Sequence, residues 1–233
     1  MKSIAIMQPY FFPYIGYFQL IQAVDTFVVY DNIQYTKKGW IARNRFLRNG
    51  MAETFSISLQ KAPEGLDVFG RLISREFRKD KLLNQLRETY RGAPYFEQFF
   101  PTIEKSILNG ETNLFHFIHN SIVDTCKYLE IETKIIVSSS VQIDHSLRAE
   151  EKIKALCKKV DADTYINAIG GQTLYTKENF KSCGLDLLFL KSRPFEYKQF
   201  NANFVPWLSI IDVMMFNSSR DLRNYLVSGY DLI

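Results

Sequence analysis

The first thirty residues constrain this chain most. Ser3 to Met7 (SIAIM) is a short apolar run stopped at once by Gln8-Pro9, which reads as a buried strand. Pro13 and Gly16 punctuate the next segment, and from Tyr14 to Val24 the apolar residues recur at helical spacing. Thr26 to Tyr30 (TFVVY) is a second β-rich run, closed by Asp31. Strand, helix and strand within about thirty residues form a βαβ unit, which favours a parallel pair and a right-handed crossover.

The texture then changes. Trp40 to Leu47 and Thr54 to Leu59 are extended segments around Arg48-Asn49-Gly50, and Asn-Gly between such runs signals a hairpin. Residues 69–129 read as helical throughout, with breaks near Gly92-Ala93-Pro94 and a third helix capped by Thr112-Asn113 and running to Tyr128. Alternation then resumes. Strands are predicted at Lys134–Ser138, Thr164–Asn167 and Asp186–Leu190, with helices at Arg148–Lys159 and at Lys177–Cys183, the latter stopped by Gly184. Two short helices around Phe216-Asn217-Ser218-Ser219 complete the tail. Five parallel strands, two before the helical block and three after it, predict a three-layer doubly wound α/β fold. Its topology would be Rossmann-like, as in nucleotidylyltransferases. With no internal repeat and no low-complexity linker, one domain is expected over residues 1–233, with the hairpin and helices inserted at about 38–129.

Composition narrows the class. At 233 residues and 46% hydrophobic content the chain can bury a substantial core, and 23% charged residues exclude a disordered or fibrous protein. A net charge of +4 suits phosphate-bearing ligands but does not argue for nucleic acid. Cys126, Cys157 and Cys183 show no CxxC spacing and fall in amphipathic helical contexts, so buried free thiols in a reducing compartment are expected. The start has no long apolar region for a signal peptide, and no run approaches the ~20 residues of a membrane helix. A cytoplasmic location is the expectation.

In an open parallel sheet, ligands bind beyond the carboxyl ends of the strands near the point where strand order reverses. That rule nominates Gln8 and the Tyr14-Ile15-Gly16-Tyr17 turn after the first strand, Asp31, Asn32 and Gln34 after the second, and Gly170-Gly171-Gln172 with Tyr175 after a later one. Tyr14 and Tyr17 occupy the spacing of an HxGH nucleotidyl-transfer motif with tyrosine at both histidine positions. A phenol donates a hydrogen bond to phosphate but supplies no imidazolium charge. The run QYTKKGWIARNR from Gln34 to Arg45 is the densest polar cluster. Strand alternation sends Arg43 and Arg45 to one face, beside Trp40, and Asn44 to the other. Two guanidiniums so placed suit a diphosphate or carboxylate. Asp31 is the best single acid, as a base or a ribose or amine ligand. The Gly170-Gly171 turn matches no phosphate-loop motif, His116 and His119 lack a third ligand for a metal, and no cofactor is assigned.

Four ordered motifs resemble one family along nearly the whole chain: QPYFFPYIGYFQLI from Gln8, DNIQYTKKGWIARNR from Asp31, YINAIGGQTLY from Tyr165 and LSIIDVMMFNS from Leu208. Together they look like the WbqC-like family, with Ala168 where that pattern has proline. Membership in the last motif alone nominates Ser209 and Asp212. The resemblance implies a role in surface-polysaccharide and O-antigen (lipopolysaccharide) biosynthesis, on a nucleotide-linked sugar or amino sugar. The function it suggests is that of a transferase, with an acyl or aminoacyl donor as partner. Arg43 and Arg45 would hold the diphosphate, and Asp31, Tyr14 and Tyr17 would be the catalytic candidates. Nucleotidyl transfer with a degenerate HxGH, and a non-catalytic sugar-nucleotide or partner-binding module, are the alternatives.

Overall fold

The computed structural model describes residues 2–200 and 203–233. β1 (Ser3–Met7) turns Ile4 and Ile6 to one face and Ala5 to the other, all buried, which is why SIAIM is apolar without alternation. β2 (Thr26–Val29) runs parallel to it in register Ile4↔Thr26 through Met7↔Val29. The connecting helix α1 (Ile15–Gln22) packs Phe18, Leu20 and Ile21 on the Ala5 face. The expected βαβ unit is therefore present.

The hairpin comes next in the chain. β3 (Arg43–Arg48) and β4 (Met51–Ser56) pair antiparallel, and Asn49 and Gly50 both take positive φ (50° and 74°), as a two-residue turn of this hand requires. Beyond it lie α2 (Lys79–Tyr90), α3 (Phe96–Leu108) and α4 (Leu114–Tyr128), whose buried residues join the core on the α1 side of the sheet. Asn113 caps α4 by accepting from the His116 amide at 3.1 Å. The helical onset differs from expectation. Apart from a turn of 3-10 helix at Val68–Gly70, residues 69–78 are irregular, because Ile73 N donates to Thr112 O (2.8 Å) and bridges at Leu59↔Ile73 and Leu72↔Asn113 hold this stretch against its neighbours.

The second half adds β5 (Lys134–Val137), α5 (Ala149–Lys159), β6 (Thr164–Ala168), α6 (Lys177–Lys181), β7 (Asp186–Ser192), α7 (Ile210–Phe216), α8 (Ser219–Ser228) and β8 (Tyr230–Leu232). The sheet reads β5-β2-β1-β6-β7-β8, parallel except for β8. The molecule is thus a mixed α/β protein with a mostly parallel six-stranded sheet. Ile153, Leu156 and Phe180 of α5 and α6 cover the face opposite α1. Three residues of β8 carry too little pattern to be read as a strand; they exist as one because β7 offers an edge. Cys126 and Cys157 are buried, with thiols pushed up to about 12 by burial. Cys183 corrects the expectation of three buried thiols: it is exposed, just beyond the end of α6.

Candidate functional site

Sheet order reverses between β1 and β6, and the cleft opens there. It has a volume of about 680 Å³ and lies across the carboxyl ends of both strands. Three chain segments weld its α1-side wall. Phe12 takes a left-handed backbone (φ 42°), and its carbonyl accepts from Asn44 Nδ2 (2.7 Å) and Ser209 Oγ (2.7 Å). Asn44 Nδ2 also reaches Phe11 O at 3.2 Å, and its Oδ1 accepts from Arg45 N at 2.9 Å. Ser209 N donates to Arg45 O (2.8 Å), Ile210 N to Pro13 O (2.9 Å), and Arg45 Nη2 to Trp207 O (3.0 Å). The first loop, the hairpin and the entry to α7 are one unit.

On that wall Trp40 carries both arginines, with the Arg43 and Arg45 guanidinium carbons 5.1 and 5.3 Å from its ring centroid. Alternation thus puts both on one face. They diverge beyond it: Arg45 lines the cleft, whereas an Arg43 guanidinium nitrogen is tied to the Lys38 carbonyl and Arg43 does not line it. Tyr14 also lines the cleft, its ring 5.8 Å from that of Trp207 and folded back over Gly16, where a methyl group would meet Tyr14 Oη at 2.2 Å. Trp207 is 65% exposed and holds a left-handed backbone (φ 59°), a conformation that costs a bulky residue of the order of 1–3 kcal/mol. Tyr17 touches the cleft only from beneath. Its ring packs against Tyr10, Phe18 and Phe27, its hydroxyl donates to Gln8 O at 3.0 Å, and burial, with Tyr10 and Cys126 adding, raises its pKa well above 10.

Between the two faces of the sheet lie Gln8, Gly170, Gly171 and Asn167. Asn167 Oδ1 accepts from Ala168 N (2.8 Å), and its Nδ2 has no acceptor among the described residues although the residue is only 6% exposed. Gly171 is a close-approach position: a methyl there would meet Asn167 Nδ2 at 2.2 Å. On the α5 side Tyr30, Tyr165 and Tyr175 complete the lining.

The remaining nominated residues lie elsewhere. Asp31 is fully buried behind the wall, since β2 ends inside the sheet. Its Oδ1 accepts from Ser138 Oγ (2.7 Å) and Ser139 N (3.0 Å), while Oδ2 has no partner among the described residues. Ser138 Oγ stands 2.7 Å from Asn32 Oδ1 as well, so its one proton is shared between two acceptors, and Asn32 Nδ2 meets His145 Nδ1 at 2.9 Å. Gln34 and Gln172 are exposed outside the cleft. Ser209 caps α7 through Ile211 N (3.2 Å). Asp212 sits in the core, accepting from Tyr90 Oη (2.8 Å), Tyr197 Oη (2.6 Å) and Gln199 Nε2 (2.8 Å), with its pKa raised because burial outweighs those three donors. Asn167, Trp207, Tyr30 and Tyr165 were not nominated. An asparagine closing an apolar strand was the available signal for Asn167; nothing local marked Trp207.

The molecule is, in class, a mixed α/β protein with an aromatic-walled cleft at the reversal point of its sheet. A model of the WbqC-like protein family matches residues 8–224, and the chain belongs to that family. It is also similar to "Uncharacterized protein Rv1507c" of Mycobacterium tuberculosis (strain ATCC 25618 / H37Rv), 26% identical over 229 residues that cover 97% of this chain and 98% of that one. No solved structure matches the chain. No described helix is long and apolar enough to cross a membrane.

Proposed function

We propose that the cleft binds a nucleotide-activated sugar or amino sugar, and that the protein is a transferase acting on it in surface-polysaccharide biosynthesis, as the family resemblance implies. The observation that carries this reading is the position of the cleft. It crosses the reversal point of a parallel sheet ordered 3-2-1-4-5, the doubly wound arrangement that binds nucleotides at that point. Arg45 is the one charged side chain among its described lining residues, and it stands beside the exposed Trp40. A guanidinium next to an indole suits a phosphate joined to a ring. Arg43 supports Trp40 from its other neighbour position. Asp31 is buried away from the cleft, where it holds Ser138 and Ser139, and takes no direct part in this binding. Transfer from an acyl or aminoacyl donor would then proceed chiefly by holding donor and acceptor in line.

A second reading, a non-catalytic sugar-nucleotide-binding module, is favoured by one observation. The described lining residues include no carboxylate, imidazole, thiol or aliphatic hydroxyl to move a proton or form a covalent intermediate.

Thermal melting with uridine-, thymidine-, guanosine- and cytidine-linked sugars tests the proposal. Ligand at a hundred times its dissociation constant should stabilise the protein by about 2.7 kcal/mol. At this chain length that amounts to a rise of roughly 5–10 °C. Arg45→Lys keeps the charge but loses the planar fork, and should weaken binding tenfold or so. No shift with any nucleotide sugar would sink the reading. Binding without product from acyl or aminoacyl donors would select the module.

A further inference from the structure

The α5 end of the cleft is built differently from the end that holds Arg45. Tyr30 follows β2, Tyr165 lies on β6 with its ring toward α5 and α6, and Tyr175 precedes α6. Their positions are fixed by ring packing. Tyr165 stacks on Phe180 (5.5 Å, 17°), and Tyr175 stands edge-on to both, at 6.0 Å and 82° to Tyr165 and 5.7 Å and 85° to Phe180. Lys152 Nζ rests 5.0 Å from the Tyr30 ring centroid and does not line the cleft. None of the three hydroxyls has a hydrogen-bond partner among the described residues, although Tyr165 is only 1% exposed. Tyr30 and Tyr175 are half-buried and none of the three oxygens is sealed from solvent, so the hydroxyls open on the cleft with their hydrogen-bonding capacity unused and offer a place for a ligand's polar atoms.

Charge decides which part of a ligand fits. Burial raises all three phenol pKa values, with Tyr175 adding for Tyr30 and Tyr165 and Glu150 adding for Tyr175, so at neutral pH each hydroxyl is uncharged and both donates and accepts. No cation lines this end, and Ile6, Ile153 and Leu174 supply apolar wall. A diphosphate gains nothing here. A neutral ring carrying several hydroxyls finds donors, acceptors and aromatic edges together. We propose that the Tyr30–Tyr165–Tyr175 end of the cleft is the subsite for the sugar ring. The nucleoside diphosphate then lies across Gln8 and Asn167 toward Arg45 and Trp40. The ligand class rests on the nucleotide-sugar reading above; the subsite rests on the three unpartnered hydroxyls.

Tyr165→Phe with Tyr175→Phe removes two oxygens and keeps the ring packing, so the double variant should fold; single variants serve if it does not. Dissociation constants are measured for nucleoside diphosphates and for the matching nucleotide sugars. Nucleotide-sugar affinity should fall about tenfold or more, with nucleoside diphosphate affinity unchanged. Equal loss for both ligands would assign this end to the nucleoside and overturn the subsite while leaving nucleotide-sugar binding intact. No loss for either would overturn it too. Should no nucleotide bind, free hexoses and amino hexoses are titrated while the ring resonances of carbon-13-labelled tyrosine are followed. Movement of the Tyr165 and Tyr175 signals, absent in the double variant, would uphold the subsite although the nucleotide reading had failed; unmoved signals would overturn it.

Discussion

Gly170 has no steric reason, within the protein, to be glycine. Its neighbour Gly171 faces Asn167 Nδ2 and Gly16 faces the Tyr14 ring, but around a methyl group at position 170 nothing lies within 4 Å, and its backbone is not left-handed. The residue nevertheless lines the cleft. A ligand approaching the backbone there would supply the missing reason. Gly170→Ala should therefore leave stability unchanged or raise it by about 0.4–1 kcal/mol through the unfolded chain. The same variant should weaken nucleotide-sugar binding. Urea unfolding and calorimetric titration read the two effects separately. Undiminished affinity would show that no ligand comes near this glycine.

The hairpin of β3 and β4 belongs to a sheet of its own, and its attachment decides where Arg45 and Trp40 stand. Asn44 is the main pin, because one buried amide satisfies two carbonyls of the first loop and one amide of the hairpin. Asn44→Ala leaves the Phe11 carbonyl and the Arg45 amide without that partner, while the Phe12 carbonyl keeps Ser209 Oγ, and should cost about 1–3 kcal/mol in urea unfolding. A loss under about 0.5 kcal/mol would place it with ordinary surface changes and make the pin dispensable. Ser209 Oγ should carry part of the load in that case, since it shares the Phe12 carbonyl. At this scale much was legible in the sequence. The βαβ unit, the Asn-Gly hairpin, the Asn113 cap and all five parallel strands arise from local pattern, which the folded chain keeps. The cleft was legible only in part. Gln8, Tyr14 and the Gly170 turn, nominated by strand ends, line the cleft, as do Trp40 and Arg45, nominated by the polar run of the hairpin. Arg43 could not be told from Arg45, because a lysine carbonyl five residues away holds it. Asp31 and Asp212 are rim or helix-start residues by pattern, and only tertiary packing puts both in the interior. Trp207 joins the site through Arg45, 162 residues distant in sequence, a contact no local signal encodes.

Across the whole molecule, titration pulls stability in two directions. Asp25 is held below the usual carboxylate range by the amide and hydroxyl of Ser3, and Asp231 by Arg193, so each favours folding above pH 4 or so and loses that contribution as pH falls through its lowered pKa. Asp212 has the opposite sign. Its folded pKa is raised, the native state binds more protons than the unfolded chain, and stability declines as pH climbs from about 4 through the raised value. Unfolding by urea between pH 4 and 8 should show that decline, and Asp212→Asn should flatten it whatever the variant does to absolute stability. Parallel profiles would mean that folding does not raise the Asp212 pKa. The architecture of the sheet has a further consequence, for how copies of the chain behave toward one another. A strand at the border of a sheet offers unpaired amides and carbonyls to any passing chain. Here the two borders fall to β5 and β8, of four and three residues, and β8 covers the far end of the seven-residue β7. The last strand acts as a selvedge over the far end of β7, where it pairs with Leu190–Ser192, and loss of Tyr230–Leu232 should bare that stretch to a neighbour's strand.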